Sequence, residues 1–263
     1  MISSPHNPKI QWVRSLQVQP KARDSAQAFV IEGVRLAEEA LSAGWQAKLV
    51  LFSGEISPRG LSVVEECIRR GAPVEQVSPQ ALKAAADTET PQGLLAVLSM
   101  QDLALPEKPG FLLVLDELRD PGNLGTILRT AGAAGVQAVF IPPGSADPFA
   151  PKVVRAAMGA HFHLPLKRID WQELRQVLNP LVAAGMCVYL ADSGAGQAYT
   201  QADFLRPLAL IVGGEARGAG GAAIDLAAEK VHIPMPGGSE SLNAAVAAAV
   251  LIFEVLRQRG RQA

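Results

Sequence analysis

Cysteine is nearly absent: the 263 residues hold two, Cys67 and Cys187, far apart and without a CxxC spacing or a neighbouring histidine pair. That excludes a disulfide framework and a thiolate zinc site, and leaves two buried, reduced thiols of the kind cytosolic proteins carry. Aromatic residues are scarce at 5%, so Trp12, Trp45 and Trp171 read as core or interdomain residues rather than stacking platforms. Neither sign of charge dominates, because 24 basic residues face 25 acidic ones for a formal net charge of −1. Such a balance excludes a histone-like polycation, yet a local basic patch still suffices to hold phosphates. Long apolar runs are missing as well. The longest, Ala244 to Phe253, is too short and too Ala-rich to cross a bilayer, and the start lacks a charged segment followed by an apolar one. The expectation is a cytoplasmic protein without membrane contact.

What is present is a core-forming composition, 49% hydrophobic and 19% charged, which excludes a disordered chain. Periodicity alternates between strand and helix from the start. Ile10, Val13, Leu16 and Val18 line one face of an amphipathic helix over 9–18 with Lys9 and Arg14 on its open side, and Phe29-Val-Ile is strand-like. A helix follows from Glu32 to Leu41 and ends at Gly44. Then come a strand Lys48 to Phe52, a helix Leu61 to Arg70 stopped by Gly71, a strand Val74 to Val77, a short helix from Pro79 and a strand Leu94 to Leu98. Residues 1–100 therefore read as a compact α/β/α domain. Gln101 to Gly110 carries Pro106, Pro109 and Gly110 without periodicity and reads as a linker. A second α/β domain, 111–263, opens with the wholly apolar Phe111 to Leu115, as burial on both faces of a parallel sheet requires. Further strands are expected at Ala138 to Ile141, Cys187 to Leu190, Leu208 to Val212 and Val231 to Ile233. Helices are expected at 123–134, 151–158, 171–184 and 241–258.

Three blocks of this second half carry candidate chemistry, each at the end of an expected strand. In the first, Asp120-Pro-Gly-Asn123 turns into a helix whose N-terminal N–H groups and dipole favour an anion, with Arg129 under two helical turns beyond Asn123. The second, Val212-Gly213-Gly214-Glu215-Ala-Arg217-Gly218, opens the backbone to a ligand and sets Glu215 at the strand's C-terminal mouth. A dinucleotide fingerprint competes for these glycines, but it belongs after the first strand of a βαβ unit and this loop comes late. In the third, Ile233-Pro-Met235-Pro-Gly237 leads through Ser241-Leu242-Asn243 into an Ala-rich helix that Ser241 or Asn243 can cap. Taken singly, each block also fits a structural turn.

The three in this order make the second domain resemble the SpoU (TrmH-type) branch of the SPOUT superfamily of RNA 2′-O-ribose methyltransferases. The segment Lys152-Val-Val-Arg155-Ala-Ala-Met158-Gly159 adds to the likeness, with Ala157 where a serine is common, and Ala244-Ala stands where the family prefers valine after Leu-Asn. The resemblance covers 111–258. Asn7-Pro-Lys-Ile, Phe29 to Leu36 and Pro91-Gln-Gly-Leu-Leu make the first domain similar to the family's L30e-like substrate-binding domain. The resemblance implies a mostly parallel sheet with a deep trefoil knot, which ordinary chain topology disfavours. It also implies a homodimer and S-adenosylmethionine held by Leu190, Ala191, Gly213, Gly214, Ile233, Met235 and Leu242, without a metal. Arg129 would act at the ribose hydroxyl, directly or through a substrate phosphate, with Asn123, Glu215, Ser241 and Asn243 around it.

The expected substrate is ribosomal RNA, with tRNA as second choice and a non-catalytic RNA-binding assembly factor as the competing class. Lys9, Arg14, Lys152 and Arg155 are the expected RNA contacts, Lys167 and Arg168 extending the basic run; Arg outnumbers Lys 16 to 8, which phosphate recognition and a GC-rich genome explain equally. His161 and His163, alternating around Phe162 on an expected strand, lack a cysteine or carboxylate partner and are expected to face solvent or RNA. The tail with Arg257, Arg259 and Arg261 is expected to be frayed.

Overall fold

The computed structural model describes residues 1–194, 197–214 and 218–260. Two compact units emerge, one of residues 1–101 with 149–162, the other of residues 102–148 with 163–263. In the first, α1 (Pro8–Val18) begins where the Asn7 side chain accepts the Lys9 N–H at 2.9 Å and Pro8 takes the first helical position. There follow α2 (Pro20–Ala26), β1 (Ala28–Glu32), α3 (Val34–Ser42), β2 (Ala47–Ser53), α4 (Pro58–Arg69), β3 (Val74–Val77), α5 (Pro79–Ala85) and β4 (Leu94–Ser99). The four strands form a sheet in the order β1-β4-β2-β3, with β4 antiparallel to both neighbours. Strand alternation divides the core between two faces. Phe29, Ile31 and Ala96 meet Leu36 and Ala40 of α3 and Val63 and Cys67 of α4 on one side. Val30, Leu51 and Val97 meet Ile10, Val13 and Leu16 of α1 and Leu82 of α5 on the other.

The second unit starts with β5 (Phe111–Leu115), α6 (Pro121–Ala133) and β6 (Ala138–Ile141). The chain then returns to the first unit with α7 (Pro151–Ala157) and a single 3-10 turn, Ala160–Phe162. Phe149, Val154 and Phe162 join the cluster around Phe29 and Trp45, and the Trp45 indole donates to the Phe162 carbonyl at 3.2 Å. This corrects the expectation for His161: it is 3% exposed and packs between Phe29 and Phe149, while His163 is exposed. The strand alternation expected there is replaced by the tight turn, which sends the two histidines different ways.

Back in the second unit come β7 (Leu166–Arg168), α8 (Trp171–Ala183), β8 (Cys187–Ala191), β9 (Gln197–Ala198), β10 (Leu208–Val212), α9 (Gly221–Leu226), β11 (Glu229–His232) and α10 (Ala244–Gly260). Seven strands form one sheet in the order β7-β6-β5-β10-β8-β11-β9, parallel at every pairing. This is the mostly parallel α/β architecture that the residues implied. The elements not foreseen, α2, β7, β9 and α9, are 7, 3, 2 and 6 residues long, too short to display a period.

The tail also departs from expectation. Arg259 donates to the carbonyls of Phe204, Gly110 and Arg206 at 2.9–3.0 Å and lies over the Phe111 ring, and Arg257 pairs with Glu254. Helix α10 is therefore tied down to its last turn; Arg261 lies outside the described residues. Among the described residues no helix is long and apolar enough to cross a membrane.

Candidate active site

Where β8, β10 and β11 end, the sheet opens into a cavity of about 290 Å³. Open parallel sheets hold ligands at this edge, because the loops leaving the strands diverge there. Leu190 and Ala191 enter from β8, Gly213 and Gly214 follow β10, and Ile233, Met235, Ser241 and Leu242 belong to the segment between β11 and α10. All seven residues expected to hold a cofactor thus line one cavity, together with Ser241. Ala244, Ala247 and Leu251, spaced along one face of α10, close its floor.

The glycines have a steric reason. A Cβ on Gly213 would lie 2.7 Å from the Ala219 nitrogen, and one on Gly214 would collide with the Glu117 carbonyl. Gly218, at φ +68°, returns the chain as an isolated bridge to Gly214. Glu215 and Arg217 lie outside the described residues.

The first and third blocks meet through two asparagines. Asp120 caps α6 by accepting the Asn123 N–H at 2.8 Å, and Pro121 starts the helix. Asn243, not Ser241, caps α10: its side-chain oxygen accepts the N–H groups of Ala245 at 2.9 Å and Val246 at 3.2 Å. With that oxygen engaged, the Asn243 amide nitrogen donates to Asn123 Oδ1 at 3.0 Å. Arg129 is exposed on α6, whose opposite face buries Leu124, Ile127 and Leu128, and it has no hydrogen-bond or ion-pair partner among the described residues.

The profile of the SpoU rRNA Methylase family matches residues 110–253, more than half of the chain. The chain belongs to the SpoU rRNA methylase family. Residues 7–96 match the MRM3-like substrate binding domain. The 23S rRNA (guanosine(2553)-2′-O)-methyltransferase RlmP of Bacillus subtilis is 37% identical over 257 residues, covering 97% of this chain and 98% of its own. Among solved structures, the SpoU methyltransferase AviRb of Streptomyces viridochromogenes, in complex with AdoMet, superposes with a TM-score of 0.88 at 29% identity, covering 97% of this chain and all of its own. The AdoMet-bound rRNA methyltransferase of Sinorhizobium meliloti gives a TM-score of 0.87 at 30% identity over 98% of this chain and 97% of its own.

Around this SpoU site the structure adds residues that the sequence motifs did not reveal. Asp192 and Ser193 line the cavity directly after β8, and His232 lines it from the end of β11, its Nδ1 buried without a hydrogen-bond partner among the described residues. Lys230 donates to Asp192 at 2.9 Å and holds its carboxyl below the usual range, helped by the Gly194 N–H at 2.9 Å. An acid just past a strand is the signal used for Glu215, and it applied equally to Asp192. Asp116, at the end of β5, is the other omission. It is 2% exposed, and burial pushes its carboxyl up despite a bond from the Gly220 N–H at 2.7 Å.

The four basic residues expected at RNA are not gathered on one face. Lys9 and Arg14 ride on α1 and Lys152 and Arg155 on α7, helices that pack against opposite sides of the first unit's sheet. Lys9 pairs with Glu75 and Arg155 with Asp87 at 2.7 Å, while Arg14 and Lys152 are exposed. In the second unit Lys167 is held by Asp102 and the Leu103 carbonyl. Among the described residues no group of three or more His, Cys, Asp or Glu is placed to hold a metal.

Proposed function

We propose that this protein transfers the methyl group of S-adenosylmethionine to a ribose 2′-hydroxyl of ribosomal RNA. The observation that carries the reading is the convergence of the expected cofactor residues on one cavity, beside which Asn243 reaches Asn123. The cavity fits the cofactor: apolar Leu190, Ile233, Met235 and Leu242 suit a purine, and the bare backbone at Gly213 and Gly214 suits its polar edges. Bound there, the cofactor supplies an electrophilic sulfonium methyl.

The protein's task is to align the hydroxyl and draw off its proton. A guanidinium keeps its own proton and is a poor general base, so Arg129 acts through a substrate phosphate, which it binds in a fork and orients so that a phosphate oxygen accepts the hydroxyl proton as the methyl leaves the sulfonium. Its exposed position without a carboxylate partner among the described residues supports that role. Asn123, held by Asn243, positions the ribose, Ser241 completes the wall, and Glu215 orients the group by hydrogen bonding. The first unit, residues 1–101 with 149–162, selects the RNA, through Lys9 and Arg14 on one side of its sheet and Lys152 and Arg155 on the other. Single-stranded loops and shape, rather than a groove code, set the choice.

The finer expectations belong to the same proposal. The segment that runs through the cavity wall into α10 forms the trefoil knot, and the enzyme works as a homodimer in the cytoplasm. Leu242, Val246 and Phe253 support the dimer, exposing 37%, 50% and 51% of their surfaces beside the site.

Transfer of labelled methyl from S-adenosylmethionine to unmodified ribosomal RNA and tRNA, wild type beside Arg129→Ala, tests the reading. One ribosomal ribose labelled by the wild type and not by the folded variant is expected. Label only on tRNA overturns the substrate, and undiminished turnover by Arg129→Ala overturns the role of Arg129. Cofactor binding without transfer to any RNA favours an assembly factor.

A further inference from the structure

Asp116 belongs to none of the residues assigned to cofactor or ribose, yet it touches both ends of the loop that walls the cavity. Its backbone N–H donates to the Val212 carbonyl at 3.0 Å, at the last residue before Gly213. Its carboxylate accepts the Gly220 N–H at 2.7 Å, just past Ala219. The neighbouring Glu117 has a left-handed backbone, φ +50°, and sets its carbonyl directly against the Gly214 Cα. A non-glycine residue in that region is strained, so surrounding contacts must hold it there. They do: Leu118 donates to Ser145 Oγ at 3.0 Å, Ser145 donates to the Leu115 carbonyl at 2.9 Å, and Ala146 donates to the Leu118 carbonyl at 2.8 Å.

We infer that Asp116 is a positioning residue, a clamp that joins the two feet of the Gly213 to Ala219 loop and so fixes the backbone wall of the cofactor cavity. Its side chain does not line the cavity. Its effect passes through Gly213, Gly214, Gly218 and Ala219, which do. The bond to Gly220 needs an acceptor oxygen at this place and no negative charge, so asparagine keeps the clamp and alanine removes it. Burial of a carboxylate here is costly, as the upward push on its proton affinity indicates. A group kept at such a cost calls for a local reason, and the loop supplies one.

The reference to a cofactor rests on the function proposed above, whereas the clamp itself concerns only the loop. Two measurements on the full chain separate them. The first follows amide hydrogen exchange of the apo protein at Gly213, Gly214, Gly218, Ala219 and Gly220. Asp116→Ala is expected to speed exchange there about tenfold or more while β5 and β10 stay protected, and Asp116→Asn to remain within about threefold of wild type. The second titrates S-adenosylhomocysteine by calorimetry, with an expected rise in Kd of about tenfold for Asp116→Ala and little change for Asp116→Asn. Unchanged exchange in Asp116→Ala, or equal acceleration in Asp116→Asn, overturns the clamp. Wild-type Kd in an Asp116→Ala variant whose loop exchanges faster overturns its bearing on the cofactor. A wild type that ignores S-adenosylhomocysteine yet shows the expected exchange pattern upholds the clamp and refutes the proposed function.

Discussion

Asn243 has two tasks that different atoms of one amide perform, and substitutions can divide them. Asn243→Ala removes the cap of α10 and is expected to lower stability by about 1 kcal/mol, read from thermal unfolding. Asn243→Asp keeps an acceptor at a helix N-terminus, where negative charge is favourable, and is expected to unfold near the wild-type temperature. Both lose the donor to Asn123, and both are expected to lose about tenfold or more in methyl transfer, roughly 1.4 kcal/mol of barrier. Asp116 gives a pH signature of its own. Its proton affinity is raised above the ordinary value of 3.8, so between that value and the raised one the folded protein holds a proton the unfolded chain has released. Stability contributed there is full below the ordinary value and is lost as pH rises through the raised one. Unfolding free energies from pH 3.5 to 7 are therefore expected to fall for wild type relative to Asp116→Asn, and a constant difference would refute the shift. The roles of these two residues differed in legibility: Asn243 stood in a motif, whereas Asp116 matters because Val212 and Gly220 lie beside it in space.

Helix α10 has an Ala-rich, strongly helix-favouring sequence and is held at both ends by side chains. Its start depends on Asn243 and its last turn on Arg259, which spans three carbonyls from two stretches of chain, Phe204 and Arg206 in one and Gly110 in the other. Arg259→Ala leaves those carbonyls without their charged donor and is expected to cost about 3 kcal/mol in urea unfolding. Arg259→Lys restores the charge but not the fork, and should recover less than half of the loss. The alanines between the two anchors let α10 approach closely, Ala245 and Ala248 being buried while Ala244 and Ala247 line the cavity. Strands were the most legible elements, since β3, β5, β6 and β10 fall where apolar runs and turn residues placed them. Helix ends were less so, because Pro121 and Pro58 extend α6 and α4 upstream of the first periodic residue. The 160–163 segment was misread because two histidines flanking a phenylalanine imitate strand alternation, while the packing of His161 on Phe29 and Phe149 demands a turn.

The exposed Val246 and Phe253 lie seven residues apart, close to one face of α10, and the proposed homodimer uses that face. Val246→Glu with Phe253→Glu is expected to give a folded monomer by analytical ultracentrifugation, with methyl transfer reduced about tenfold or more. A dimer that survives both charges would place the interface elsewhere. Within the first unit, α7 and Phe162 complete a core that residues 1–101 leave open on the side of Phe29 and Trp45.

By itself the sequence determined the α/β class, the parallel character of the second sheet and the three blocks at the site. Each is a local property: burial on both faces makes a strand apolar, and a ligand close to backbone requires glycine after it. Only the tertiary structure decided that α7 belongs to the first unit, that Arg259 anchors α10 and that Asp116 ties the Gly213 loop. Those depend on groups distant in the chain, Phe29 with Phe149 and Asp116 with Gly220, whose contacts exist only once the sheets have formed and leave no period or spacing in the sequence.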